Sequence, residues 1–329
     1  MIRCLQFTKD KTLRTNIDPS EIPAILREPD SILWVDLDCN PVEVDEPLLR
    51  ETFEFHPLVI EDALQETHVP RLDEWNHYIY IVLHAVSFAP LDPGNLGVHE
   101  LDIFLGQNYM VTHHDQPIKA IERVWNYIQR DTSYLSNGAD HLLYRLIDQV
   151  VDNYMPVVEE IDDAIDLAED QIFTDPTSDI LEKIFDLKRT ALQLRRILLP
   201  EREVVNKLAR DEFSVVDSKT RIYFRDVYDH LVRMHDITES IRDLVTGALD
   251  TYLSVVNNRM NDIMRTLTVI TTLFMPISFV ASFFGMNYFQ SGTGLAVWVS
   301  PASFVVALAI TVLSPILMYM WIRRRKWLE

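Results

Sequence analysis

Residues 266–322 read TLTVITTLFMPISFVASFFGMNYFQSGTGLAVWVSPASFVVALAITVLSPILMYMWI, an unbroken run without one Asp, Glu, Lys or Arg. Near its middle, GMNYFQSGTG carries Gly285, Gly292 and Gly294, which favour a turn over continued helix. Two spans result, at about 267–284 and 295–322, each near or above the roughly 20 residues that cross a hydrocarbon core of about 30 Å. Arg323, Arg324, Arg325 and Lys326 follow the second span, while Arg259 and Arg265 precede the first. Basic residues favour the cytoplasmic side, so both termini are expected there. A pair of apolar helices inside a soluble core is the competing reading, and so long an uncharged run ended by RRRKW outweighs it.

Upstream of the first span no proline interrupts residues 218–265. Phe224, Val227, Leu231, Met234, Ile237, Ile241, Leu244, Ala248, Tyr252 and Val255 recur there at helical spacing. Unbroken helix from 218 to 284 would extend for about 100 Å, too long for a globular core, so a stalk continuing into the membrane is expected. Two further helices are read at 140–173 and 178–210, separated by the TDPT turn at 174–177, which makes an α-helical hairpin. Before residue 140 the pattern turns to β-rich runs, SILWVDLD (31–38), HYIYIVLHAVSF (77–88) and ELDIFLGQNYMVTHH (100–114), with a helical piece at 57–65. Pro90, Pro93 and Gly94 mark a turn that pairs the second and third runs antiparallel. The fold class is therefore α+β with a membrane part. A cytoplasmic α/β domain (1–139) leads to a helical hairpin and stalk (140–265) and a two-helix transmembrane domain with a basic tail (266–329).

The chain holds 30 Lys and Arg against 50 Asp and Glu, a formal net charge of −20. Four of the basic side chains and one of the acidic ones lie beyond Ile322, so the part before the uncharged run carries 26 basic and 49 acidic groups, a balance of −23. Such acidity excludes a nucleic-acid binder, which needs a basic face. Cys4 and Cys39 are far apart and form no CxxC, which fits a reducing compartment and no thiolate zinc site. The N-terminus reaches charge by Lys9 and lacks the apolar run of a signal peptide. There is no GxxxxGK[ST] to cradle a nucleotide, and no HExxH, GxSxG or Cys/His nucleophile arrangement. Neither nucleotide-driven transport nor an enzyme is expected.

Along the first span, Asn261, Met264, Thr268, Thr271, Met275, Ser278 and Ser282 recur at spacings of 3 and 4, so they form one stripe of a helix. Hydroxyls facing lipid are poorly satisfied, hence the stripe faces protein or water. Tight helix packing and a water-filled path both fit it. A single hairpin encloses no path, so conduction requires a homo-oligomer that brings several stripes around an axis. With no carboxylate or base at membrane depth, a proton relay is disfavoured. Neutral oxygens instead suit Mg²⁺, which sheds water reluctantly and can be held through its hydration shell. Met264 and Met275 read as flexible apolar constrictions gating by dewetting, or as soft metal ligands.

GMN at 285–287, at the outer end of the first of two C-terminal spans, resembles the signature of the CorA family of magnesium and cobalt transporters. By composition alone Asn287 is equally a turn residue. The resemblance extends through HPLVIEDAL (56–64), YFRDVYDH (223–230), YLSVVNNRMNDIMRTLTVITTLFMPISFVASFFGMN (252–287) and RRRKWL (323–328). It implies a homopentameric cation channel in the cell inner membrane, with a cytoplasmic funnel and long stalks. Mg²⁺ would be both transported and regulatory, and Co²⁺, Ni²⁺ or Zn²⁺ are further ions. It also implies that Gly285, Met286 and Asn287 form the entrance, and that Asn261, Met264, Leu267, Met275 and Ser278 are pore-facing or gating. Leu267 sits one residue off the stripe.

Two departures from that family stand out. The loop YFQSGTGLAVW (288–298) has no acid where relatives carry an MPEL-like motif, and Ser282 stands where relatives often have glycine. Feedback by cytoplasmic Mg²⁺ between neighbouring subunits is implied at Asp226 of YFRDVYDH, with Asp92 as its partner. Glu159, Glu160, Asp162, Asp163, Asp166, Glu169 and Asp170 read as a solvated face, or as carboxylates that divalent cations bridge between subunits of a ring. His113 and His114, adjacent in a strand, point to opposite faces of the sheet.

Overall fold

The computed structural model describes the chain except for residues 16, 29, 66–67, 88–95, 286–300 and 326–329, and the side chains of 133, 134, 284, 301 and 303. It divides into two units, Met1–Tyr252 and Leu253–Glu329.

In the first unit, the described strands β1 (Ile2–Phe7), β2 (Leu13–Thr15), β3 (Ile32–Asp38), β4 (Arg71–Glu74), β5 (Ile79–Ser87), β6 (Gly97–Leu105) and β7 (Tyr109–His114) form one sheet. Their order is β2-β1-β3-β7-β6-β5-β4, and only β3 and β7 run parallel. β5 is buried on both sides, which explains its largely apolar run IYIVLHAV, interrupted by His84. One sheet face, with Val35, Leu37, Tyr80, Val82, Phe104 and Val111, packs with Leu49, Phe53, Phe55, Val59 and Ile60. The last two belong to α3 (Pro57–Gln65), which follows α1 (Ile22–Ile25) and α2 (Val42–Pro47). On the other face, Trp34 lies 4.9 Å from the ring of Trp125 in α4 (Lys119–Arg130), whose buried Ile121, Val124, Trp125 and Ile128 recur at helical spacing.

The β-rich run 100–114 is a hairpin of β6 and β7 turning at Gly106, Gln107 and Asn108. Gly106 is required there because a Cβ would stand 2.2 Å from the ring of Tyr109. β5 and β6 pair antiparallel as expected, from Ile79 opposite Leu105 to Ser87 opposite Gly97. The turn inferred at Pro90, Pro93 and Gly94 lies outside the described residues.

Residues 140–173, read as one helix, are two. They are α5 (Ala139–Asp152) and α6 (Tyr154–Thr174), meeting at Asn153. Pro156 has no N–H to give to the carbonyl of Asp152, and its ring would clash there, so the helix restarts. α6 and α7 (Ser178–Arg210) form the expected hairpin, with Ile161, Ile165, Ala168 and Ile172 buried on α6 and Ile184, Leu187, Ala191 and Leu194 on α7. The acidic residues of α6 lie on its outer side, all exposed except the half-buried Glu169.

α8 (Arg221–Phe284) is one 64-residue helix. Its buried positions in the first unit are Phe224, Val227, Leu231, Met234, Thr238, Ile241, Val245, Ala248 and Tyr252, a strict alternation of three and four. That register selects Thr238 and Val245 where the apolar pattern suggested Ile237 and Leu244. Burial of Thr238 is tolerated because its hydroxyl donates to the carbonyl of Met234 at 2.8 Å.

Glu201 of α7 is buried in this unit. One oxygen accepts the backbone N–H of His84 at 2.8 Å, and the other has no hydrogen-bond partner. Burial, opposed by the nearby Tyr154 hydroxyl and by the hydrogen bond from the His84 backbone, pushes its carboxyl up to about 8. The folded protein therefore holds a proton that the unfolded chain releases above its ordinary carboxyl range. Stability from this residue falls as pH rises toward 8 and stays low above it. Melting curves at pH 6.5 and 9 should show an alkaline loss in the native chain and a smaller one in Glu201→Gln. Equal losses would contradict the assignment.

Candidate functional site: the membrane helix and an acidic cluster

α8 and α9 (Pro301–Arg324) both contain windows long and apolar enough to cross a membrane, with mean hydropathy 1.7 and 2.2. Within the second unit, α8 has a half-covered stripe at Val269, Thr272, Leu273, Pro276, Ile277 and Val280. α9 has a matching one at Ala307, Thr311, Ser314, Pro315 and Met318. The polar residues singled out from the sequence lie off that stripe. Asn261, Met264, Leu267, Thr268, Thr271, Met275, Ser278 and Ser282 are all exposed on α8, and none is covered by the chain's own second span.

The threonine hydroxyls have a specific orientation. Thr268 donates to the carbonyl of Met264 at 2.7 Å, and Thr271 donates to that of Leu267. Each hydroxyl proton is thus used by its own helix, and the lone pairs are left to accept from outside. These two hydroxyls can therefore accept hydrogen bonds from the water around a cation. Of the residues expected at the entrance, Gly285 is described: its N–H bonds the carbonyl of Ala281 at 2.9 Å, and a Cβ would approach that oxygen to 3.0 Å. Met286 and Asn287 lie outside the described residues.

In the first unit Asp226 is exposed on α8, while its expected partner Asp92 lies outside the described residues. The structure places a second set of groups nearby that sequence reasoning missed. Asp148 and Asp152 of α5 and His230 of α8 bring ligand atoms within 4.8 Å of one another. Burial, then the charge of Asp152, raises the Asp148 carboxyl, and Asp226 adds to the effect. A divalent cation would reverse that cost. The available signal was the spacing of four between Asp148 and Asp152, and again between Asp226 and His230, each pair on one helix face.

His113 and His114 leave β7 on opposite faces, as their adjacency requires. His114 reaches Asp36 at 3.2 Å, and Asp36 also holds Thr112 and Arg3. Burial pushes the Asp36 carboxyl up, but these three partners bring it net below the usual range.

Comparison with known proteins agrees with these features. The family model described as "CorA-like Mg2+ transporter protein" matches residues 29–324. A putative metal ion transporter of Bacillus subtilis, YfjQ, is 34% identical over 289 residues, covering 88% of each chain. The cobalt/magnesium transport protein CorA of Thermotoga maritima is 34% identical over 284 residues, covering 84% of this chain and 78% of that one. In fold, the complete CorA magnesium transporter of Methanocaldococcus jannaschii superposes with a TM-score of 0.84 at 23% identity, covering 99% and 98% of the two chains. An acidic soluble unit, two membrane-spanning helices and a match over most of its length place this chain in the CorA family of divalent-cation transporters, which carry ions and are not enzymes.

Proposed function

We propose that this protein is a homopentameric channel for Mg²⁺, and for Co²⁺, in the cell inner membrane, with both termini cytoplasmic. Ions move inward down the concentration gradient and the membrane potential. The potential supplies about 2.3 kcal/mol per charge per 100 mV, hence about 4.6 for a divalent ion. The observation that carries the reading is the exposure of the entire polar stripe of α8, whose threonine oxygens point acceptor sites outward. A membrane-anchored sensor that conducts nothing has no use for such a face. The cobalt/magnesium naming of the relatives supports the choice of ions.

In this reading Gly285, Met286 and Asn287 form the outer entrance, and Asn261, Thr268, Thr271, Ser278 and Ser282 line the path. Met264, Leu267 and Met275 constrict it. The experiment is ion flux into vesicles containing the purified protein, compared for Mg²⁺, Co²⁺, Ni²⁺ and Zn²⁺. Mg²⁺ and Co²⁺ uptake that rises with an inside-negative potential is expected. Zn²⁺ uptake without Mg²⁺ uptake would make the chain a zinc transporter on the same scaffold, and absence of any flux would favour the sensor.

Feedback belongs to the same proposal. Five copies of residues 1–265, each carrying −23, repel one another, and cytoplasmic Mg²⁺ bound at Asp226 offsets that repulsion in the closed ring through its higher affinity for that state. Asp148, Asp152 and His230 lie close enough to share in the effect. Asp226→Ala should shift half-inhibition of flux to higher internal Mg²⁺ by about tenfold, the loss expected for one charge-assisted contact of about 1.4 kcal/mol. It should also weaken Mg²⁺ protection of the soluble part against proteolysis. Curves that superimpose on those of the native chain would leave Asp226 a solvated carboxylate.

A further inference from the structure

A second group of metal-ligating side chains sits where the parallel strands β3 and β7 end, and it shares no residue with the sites above. Asp45 of α2 is fully buried. Its Oδ1 accepts from Asn40 Nδ2 at 2.9 Å, but its Oδ2 has no hydrogen-bond partner. A buried carboxylate oxygen without a partner is costly, so it calls for a cation. The atom facing it, at 3.8 Å, is Nε2 of His113, which lies 4.0 Å from Oδ1 of Asp115 as well. On its other edge the imidazole places Nδ1 3.5 Å from Asp102 Oδ2, and Tyr80 fixes that carboxylate by donating to Oδ1 at 2.6 Å. A cleft of about 210 Å³, lined by Gln65, Glu100, Asp102, His113, Asp115 and Gln116, gives access from solvent.

We propose that His113, Asp45 and Asp115 bind a divalent transition metal of the Co²⁺, Ni²⁺ or Zn²⁺ class in the soluble unit. A proton kept on Nδ1 by Asp102 leaves the Nε2 lone pair free for the ion, the carboxylate–histidine–metal arrangement that sets the tautomer in many metal sites. Donor bonds to such an ion are about 2.0–2.2 Å. Two donors of a tetrahedral ion then stand about 3.4 Å apart, so each carboxylate closes on Nε2 by about half an ångström. Imidazole is the discriminating ligand, since Mg²⁺ takes oxygen donors and keeps its waters.

Without the ion, a proton on His113 is the compensating charge. Burial disfavours that proton, but Asp102, Asp115 and Asp45 outweigh it, so the imidazole titrates above its ordinary value. Glu100 on β6 also lines the cleft, and the N-terminal ammonium adds positive charge near Asp45. The metal displaces the Nε2 proton, so its affinity rises with pH. Bound, it ties α2 to the end of β7.

The test is a Co²⁺ titration of the metal-stripped full-length protein in detergent, followed by the visible absorption of Co²⁺. The native chain should develop an intense band from imidazole-ligated Co²⁺, saturating at one ion per chain. His113→Gln should abolish it, and Asp102→Asn should weaken binding by about 10- to 100-fold. An identical band in His113→Gln overturns the proposal. Should that variant lose its native circular dichroism, Asp45→Asn decides, and an unchanged titration there overturns the proposal equally. Zn²⁺ should erase the Co²⁺ band at equimolar concentration. Erasure by Mg²⁺ at that concentration would overturn the assignment to a transition metal.

Discussion

Replacing Asn287 by Ala is expected to remove most Mg²⁺ uptake while leaving synthesis, membrane insertion and assembly unchanged. The substitution deletes a carboxamide just beyond Gly285, after the last residue of α8. A hydrogen bond to a charged or strongly polarised partner contributes about 1.5–3 kcal/mol, and about 1.4 kcal/mol is tenfold in an equilibrium. In a ring, the amide is lost from every subunit at once, so a fall in uptake of at least about tenfold is expected. Vesicle uptake of Mg²⁺, with assembly checked by size-exclusion chromatography, measures both halves of the statement. Full uptake by the variant would remove Asn287 from the entrance, whereas failure to assemble would show that it is a structural turn residue.

The opposite sign is expected at the constriction. Leu267 is 57% exposed in the single chain, so Leu267→Asp disturbs little of the chain's own packing. In the assembled pore this residue would complete an apolar collar that excludes water. Burying one such side chain is worth about 1.5–3 kcal/mol, and a carboxylate in its place brings water with it. Basal Mg²⁺ flux at high internal Mg²⁺ should therefore rise by about tenfold or more. Flux that stays silent at high internal Mg²⁺ and normal at low would place the gate elsewhere, at Met264 or Met275. The two variants are informative together, because a general defect in folding lowers flux in both and cannot raise it in one.

Much of the architecture was legible from local patterns. An uncharged run from Thr266 to Ile322 has few alternatives to the membrane, and the apolar repeat from Phe224 to Tyr252 specifies a long helix, because both depend only on neighbours in sequence. The alignment of Asn261 to Ser282 along one helix is likewise a matter of spacing alone. Boundaries that depend on a single residue's backbone demands were missed. Gly106 turns β6 into β7 inside an apparently continuous β-rich run, and Pro156 restarts a helix that the apolar period carries straight through. In α8, periodicity left Ile237 and Thr238 as rivals, as it did Leu244 and Val245. Packing against the rest of the unit chose the second of each pair.

What the sequence determined by itself is the class of protein: a strongly acidic soluble part, two membrane-spanning helices, and a polar face along the first of them. Hydrophobic run length, charge balance and helical period carry that information, and none of them requires knowing which distant residues meet. Tertiary structure alone decided the charged clusters. Asp148 and Asp152 of α5 meet His230 only because α8 docks beside them, and Asp45 meets His113 although several strands and helices separate them along the chain. These pairs are set by strand order and helix docking, in particular by the parallel contact of β3 with β7 that sequence pattern does not encode. Burial makes their chemistry, since a carboxylate left without a partner in the interior is costly, whereas the same group in water is fully solvated.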